Sequence, residues 1–357
     1  MIDACESCLR RSHLVAFLAG DVERLLPAGR PARAGAVEAG TEALLAAVPD
    51  HRRAEAQALL AGFDARAVRA GLGCDAVCSH ADAFPDPLRD LRHPPAVLYA
   101  TSLERAAAGA APAVVVVGSR RPSEYGRSVA YRIGRGLGAA GVRVVSGLAL
   151  GVDAVAHRGA LDGGGSTVAV LAGGVDAAYP RTNRALYERI WTDGAVVSEM
   201  PPGTRPLRWL FPARNRIMAA LGVLTVVVEA AERSGTLITA DCSAEIGRDV
   251  AAVPGQVTAA VSAGTNGLIR AGAALVTGPQ DILDLLYGVG VRTVPEEPAA
   301  PLGPPERRVL ELVARGAGTD EIGRETGMPA AAVRATLARL ELGGVLRRAP
   351  SGSYVPA

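Results

Sequence analysis

The chain has 357 residues, 49% of them hydrophobic and 21% charged, and a formal net charge of +2. This describes a globular protein of two or three domains and excludes a disordered chain; with so little net charge, any anion site has to be a local cluster. All 38 basic residues are arginine, which removes Walker-type phosphate loops and Schiff-base chemistry, since both need a lysine.

Residues 1–100 are rich in Ala, Leu and Arg. Apolar clusters at Leu14/Val15/Phe17/Leu18, Val22/Leu25/Leu26, Leu44/Leu45/Val48 and Leu59/Leu60/Phe63 are punctuated at Pro27-Ala28-Gly29, Gly40, Pro49 and Gly62. The pattern predicts a small helical domain over 1–100. Cys5-Glu6-Ser7-Cys8 has the spacing of half a zinc site, and Cys74, Cys78 and His80 are candidates to complete it. The second pair is loosely spaced and there is no second CxxC, so no metal is expected. Five cysteines in so long a chain argue against a secreted disulfide framework. Leu14–Gly20 is too short for a signal peptide, and Val250–Ile269 is broken by Pro254, Gln256 and Asn266, so a cytoplasmic protein with no membrane partner is expected.

From Pro112 the pattern alternates strand and helix. Val114–Val117 is an unbroken β-branched run, as in a strand buried on both faces of a parallel sheet. Gly118-Ser119-Arg120 follows, and a helix is expected to begin near Ser123. A strand, a small-residue turn and a helix N-terminus make an anion site, to which Arg120 adds a planar fork. The same junction occurs in folds that bind no nucleotide, where the glycine merely permits the turn. Further strands are predicted at 142–146, 167–171, 195–198, 224–229, 250–253 and 274–276, with helices at 125–138, 153–161, 183–192 and 237–247. Such βα repeats build a doubly wound, mainly parallel α/β sheet that binds ligands at the carboxyl ends of its strands. The domain runs over 101–292 and is followed by a Pro-rich linker over 293–305.

Residues 306–357 predict three helices, Arg307–Ala314, Thr319–Thr326 and Ala330–Leu342, and a two-stranded wing over Val345–Val355. This is a winged helix-turn-helix outline. Its net charge is only +2, which leaves groove reading and protein docking level and weakens a transcription-regulator reading.

The predicted strand ends carry unusual residues. Arg208–Arg216 interleaves three arginines with Trp209 and Phe211, the composition of a single-strand surface, although large rings are more often core. His157, Asp153 and Asp176 are expected to pack, cap and turn.

Gly118-Ser119-Arg120, SGLALGVDAVAH from Ser146, YPRTN from Tyr179, SEMPPGT from Ser198, FPARNRI from Phe211, ERSGTLITA from Glu232, AVPG from Ala252 and GTNGLIRAGA from Gly264 together resemble the DNA-processing protein A (DprA/Smf) family over 110–287. The resemblance implies an extended Rossmann-like domain that binds single-stranded DNA without cleaving it. It also implies a homodimer that protects incoming strands and helps load the RecA recombinase in transformation or recombination, with single-strand-binding protein as a further partner. It implies no cofactor. Carried over by motif, Ser119 and Arg120 hold a backbone phosphate. Arg214, Asn215 and Arg216 line the groove, and Ser234, Gly235 and Thr236 offer N–H donors. Gly147, Arg181, Asn183, Arg208 and Asn266 complete the expected DNA-binding set. The alternative is a nucleoside-monophosphate phosphoribohydrolase on the same architecture. Its PGGxGTxxE signature lacks the proline, the leading glycines and the glutamate here, with Thr239 in the glutamate's place.

Overall fold

The valine run that dominates the sequence becomes strand β4, Ala113–Val117, buried along its whole length. Val114 and Val116 pack into one apolar layer, Val115 and Val117 into the other. A central strand of a doubly covered sheet requires this two-sided burial. The computed structural model describes residues 1–25, 40–107, 112–295, 302–342, 345–349 and 353–356. They fall into two units, Met1–Val294 and Pro295–Ala357.

In the first unit β1 is Ile2–Asp3, β2 Asp75–Cys78, β3 Val97–Ala100, β5 Arg143–Ser146 and β6 Thr167–Val170. They are followed by β7 Ala195–Ser198, β8 Leu224–Val227, β9 Asp249–Ala252 and β10 Ala274–Leu275. All join one ten-stranded sheet in the order β1-β2-β3-β7-β6-β5-β4-β8-β9-β10. From β7 to β10 every pairing is parallel, while β3 runs antiparallel to both β2 and β7. The strand order reverses direction at the β4/β8 pair, the switch point where the carboxyl ends open a crevice.

One face of the sheet is covered by helices Glu124–Ala139, Val152–Asp162 and Pro279–Tyr287, through Ile133, Leu137, Val155, Ile282 and Leu283. The other carries Arg184–Asp193, Leu210–Leu221 and Leu237–Glu245. The central strands and their helices lie within a residue or two of the positions read from the sequence. The helix Leu210–Leu221 differs from that reading, because its Arg/aromatic interleaving looks like an exposed surface until the side facing the sheet is known. Pro212 is accommodated because it sits in the first turn.

The expected separate helical domain over 1–100 is corrected. Helices Glu6–Leu25, Thr41–Ala46, Asp50–Ala61 and Ala65–Gly71 are present, but β1, β2 and β3 extend the main sheet within the same compact unit. Asp75–Cys78 and Val97–Ala100 are too short to show a period, and β3 becomes a strand by pairing with the distant β7. Leu14, Leu18 and Val22 of the first helix bury against Met200, Trp209 and Leu210 instead of forming a core of their own.

The second unit holds helices Pro304–Ala314, Thr319–Thr326 and Ala330–Leu342, with β11, Leu346–Arg348, pairing antiparallel to β12, Tyr354–Pro356. Val309, Leu312, Val313, Ile322, Val333, Leu337, Leu340 and Leu346 form its core. The turn at Pro27–Gly29, linker residues 296–301 and Gly343-Gly344 lie outside the described residues.

Candidate functional site

At the switch point Gly118 ends β4, and Ser119 N donates to Glu229 O at 2.7 Å, tying the first turn to the end of β8. Ser123 caps the helix Glu124–Ala139 by accepting from Gly126 N at 3.0 Å. Glu229, 3% exposed, also accepts from Ser123 N at 3.0 Å and takes a hydrogen bond from its hydroxyl. This corrects the expected anion site at that helix N-terminus. The chain's own carboxylate stands at the positive end of the dipole, bonded to the N-cap residue Ser123.

Beside this cap lies a cavity of about 800 Å³. Its lining includes Ser119, Arg120 and Arg121 from the β4 turn, and Arg208, Phe211, Arg214 and Asn215 around the start of the helix Leu210–Leu221. Tyr179 comes from the YPRTN segment, and Ser234, Gly235 and Thr236 from the turn after β8. At the rim the Arg120 guanidinium stands 5.3 Å from the centre of the Phe211 ring. Tyr179, 49% exposed, lies 5.7 Å beyond in a tilted ring pair with Phe211. A guanidinium over one ring, with a second ring tilted against it, makes an aromatic platform with a cation on it. Arg120, Arg121 and Arg208 are exposed, and among the described residues none has an acidic group within ion-pair distance.

The floor is built differently. Arg214 is 6% exposed; its guanidinium donates to Gly147 O at 2.7 Å and to Val170 O, and lies 4.0 Å from Asp153. Burial lowers Arg214 to about 10, against the pull of Asp153. Burial likewise raises the Asp153 carboxyl, opposed by Arg214 and by the amides of Ala149 and Gly147. This arginine is an internal strut linking the ends of β5 and β6, and it explains Gly147: a Cβ there would lie 2.0 Å from the guanidinium. Gly151 is a second obligatory glycine, with φ +83° and a virtual Cβ 2.3 Å from Ser119 O.

The structure therefore sorts the expected DNA-binding residues. Ser119, Arg120, Arg208, Asn215, Ser234, Gly235 and Thr236 converge on the cavity, as does Arg214 from its floor. Within the turn at 234–236, Ser234 N and Thr236 N bond internally and the Thr236 hydroxyl donates to Gly118 O. Of the three amides only that of Gly235 has no acceptor among the described residues. Asn215 is largely buried and accepts from Arg214 Nε.

Four residues are corrected as groove-lining groups. Gly147 is buried under Arg214. Arg216 is held bidentately by Glu199 at 2.7 and 2.8 Å. Asn183 Nδ2 donates to Leu148 O and Ala149 O and so fixes the loop after β5. Asn266 bonds both the N–H and the C=O of Gly255. Arg181 differs from these four: it is exposed and lies outside the cavity lining, so the cavity by itself leaves its expected role open. In the two asparagine cases a polar side chain that reads as a ligand contact satisfies the backbone of an irregular loop instead.

Sequence reasoning missed Arg121 and Tyr179; the Arg120-Arg121 doublet was the available signal. Trp209 is core, 1% exposed, with Nε1 donating to Ala19 O at 2.9 Å. His157 is also core, bonded to the Thr167 hydroxyl at 2.6 Å. Thr239, at the place of the hydrolase glutamate, is buried, and among the described residues the one carboxyl lining the cavity is Asp153.

A mainly parallel sheet with a basic, aromatic-rimmed crevice at its switch point, in a chain that also carries a winged helix unit, defines a protein of extended Rossmann type. The family model for DNA recombination-mediator protein A matches residues 75–287, and that of the DprA winged helix domain matches 293–352. A putative DNA processing protein DprA of Mycobacterium tuberculosis is 46% identical over 263 residues, covering 72% of this chain and 68% of that protein. The crystal structure of DNA processing protein A from Streptococcus pneumoniae is similar with a TM-score of 0.62 at 33% identity, over 78% of this chain and 95% of the other. That of Helicobacter pylori, described for its single-stranded DNA binding mode, has a TM-score of 0.52 at 28% identity, over 57% and 92%. The chain belongs to the DNA processing protein A family.

Proposed function

We propose that the crevice binds single-stranded DNA with little sequence preference and without cleaving it. The observation that carries this reading is the rim: Arg120 over the Phe211 ring, Phe211 against Tyr179, and Arg121 and Arg208 alongside with no acidic partner among the described residues. Phosphates meet the guanidinium groups while bases stack on the rings. The similarity to the Helicobacter pylori protein supports it. The non-catalytic reading is supported by the state of the cavity's carboxyl. Asp153 is consumed by two amides and Arg214, and general acid–base chemistry on a glycosidic bond needs a free, positioned carboxylate.

In this reading the protein acts in the cytoplasm as a homodimer, shields incoming strands beside single-strand-binding protein and hands them to RecA in transformation or recombination. Among the described residues no helix is long and apolar enough to cross a membrane. The test is fluorescence anisotropy of a labelled oligothymidine at several salt concentrations, with a duplex competitor. Tight binding that falls with salt and is weakened for every single-stranded sequence in Arg120→Ala places the activity on the crevice. Binding of duplex alone, unchanged by that substitution, assigns it to the winged helix, and strongly different affinities for unrelated single strands overturn the stacking-and-phosphate reading.

A further inference from the structure

The far edge of the sheet carries a cluster that the crevice does not use. Cys5 precedes the first helix and Cys8 lies in its first turn, while Cys78 ends β2 and His80 follows it in the next turn. Their ligand atoms, three Sγ and one imidazole nitrogen, all lie within 4.8 Å of one another. His80 Nδ1 faces all three sulfurs, at 3.5 Å from Cys5, 3.4 Å from Cys8 and 4.0 Å from Cys78. Donors around a tetrahedral zinc, with Zn–S about 2.3 Å and Zn–N about 2.0 Å, stand roughly 3.5–3.8 Å apart. The three imidazole–sulfur distances therefore stand at or near ligand-to-ligand spacing before any ion is placed among them, and no sulfur lies more than 4.8 Å from another.

The surroundings suit thiolates. Cys5 N points at Cys78 Sγ at 3.4 Å, and the Ser7 hydroxyl is 3.2 Å from Cys5 Sγ, so a backbone and a side-chain donor stand ready for sulfur that has lost its proton. Cys74, a candidate from the sequence, is outside the cluster. The spacing that counted against a site, CxxC with a distant Cys-x-His, is resolved by the pairing of β1 with β2. Ile2 stands beside Ala76 and Asp3 beside Val77, which brings the start of the chain to the end of β2.

We propose that Cys5, Cys8, Cys78 and His80 form a structural zinc site that staples the N-terminus of the chain to the edge of the sheet. Three soft sulfurs and one imidazole in a closed set of four select zinc over magnesium, calcium or manganese, and leave no open position for catalysis. Binding releases the protons of the three thiols to solvent, including the one that Cys78 donates to Asp3 O at 3.7 Å. The mechanical need is visible in β1, a two-residue exposed strand whose ladder is too short to hold by itself. The carboxyl end of β2 is five strand spacings from that of β4, about 24 Å, so the staple acts on the edge and not on the crevice.

The test uses the full chain, expressed with added zinc, purified under reducing conditions and analysed by plasma mass spectrometry. About one zinc per chain is expected, falling to background in His80→Ala and unchanged in Cys74→Ser. Replacement by Co(II) in the wild type should give the visible bands of tetrahedral thiolate ligation, a readout that needs no substitution. His80→Cys should retain the metal. Chelation should lower the melting temperature and speed hydrogen exchange in residues 1–10 and 75–80, leaving oligothymidine affinity intact. The proposal is overturned if reduced wild type retains no zinc after incubation with excess metal and buffer exchange, if it takes up Co(II) without tetrahedral bands, or if Cys74→Ser loses the metal as His80→Ala does.

Discussion

Arg120 and Arg214 both line the crevice and both lie in motifs that read as phosphate-binding, yet the protein uses them in opposite ways. Arg120 is exposed, backed by a ring and unpaired; Arg214 is buried, spent on two carbonyls and Asp153. A guanidinium at the rim keeps its charge for a ligand at almost no folding cost. One in the floor has already been desolvated, and its hydrogen bonds are what hold the strand ends apart at the right spacing. A basic residue in a binding motif is thus no evidence of contact until its partners are known.

The sharpest way to break this contrast is to truncate the floor. Arg214→Ala leaves Asp153 buried without its cation and should cost about 3–5 kcal/mol of stability, read by denaturant titration. Trp209→Ala should cost a similar amount, about 3–5 kcal/mol, by opening a cavity under the first helix. If either variant keeps wild-type stability and loses only DNA affinity, the division into rim and floor is wrong.

A second handle on the interior is His157, fully enclosed and held down to about 3 from 6.5 by burial. A base whose folded value is depressed binds its proton in the unfolded chain first. Stability should therefore fall as the pH drops from about 6.5 towards 3, by roughly 2 kcal/mol between pH 7 and pH 5. His157→Gln should flatten that slope; an unchanged slope would show that another group carries it.

The rim should respond mainly in binding, with some stability also lost at Phe211, which is half-buried against the core under the first helix. Phe211→Ala removes a stacking face and should weaken oligothymidine affinity by about 1–3 kcal/mol. The smallest effect is in the salt dependence of Arg120→Ala. Its slope should fall by about 0.7 for the one phosphate no longer neutralised, with stability within about 0.5 kcal/mol of wild type. A slope identical to wild type would remove Arg120 from the phosphate path.

Much of this molecule is written locally. The β-branched runs at 114–117 and 195–198, the glycine turns after them and the three helices of the winged unit follow from burial pattern, φ preference and capping. They could be placed to within a few residues because each depends on its own neighbours in the chain. Segments whose role depends on a remote partner were not legible. Val97–Ala100 is a strand because β7 lies beside it, Asn183 and Asn266 satisfy loops that no local rule anticipates, and Glu229 caps a helix that begins more than a hundred residues earlier.

By itself the sequence determined the alternation of strand and helix, the winged unit and the motifs that resemble the family, since these rest on hydrophobic period and short-range backbone preference. The tertiary structure alone decided which arginines face solvent and which are struts, that β1, β2 and β3 join the main sheet, and that Cys5, Cys8, Cys78 and His80 meet while Cys74 does not. Burial and ion pairing are properties of the assembled neighbourhood. Side chains distant in sequence acquire their charge state, their partners and their reach only when the sheet brings them together.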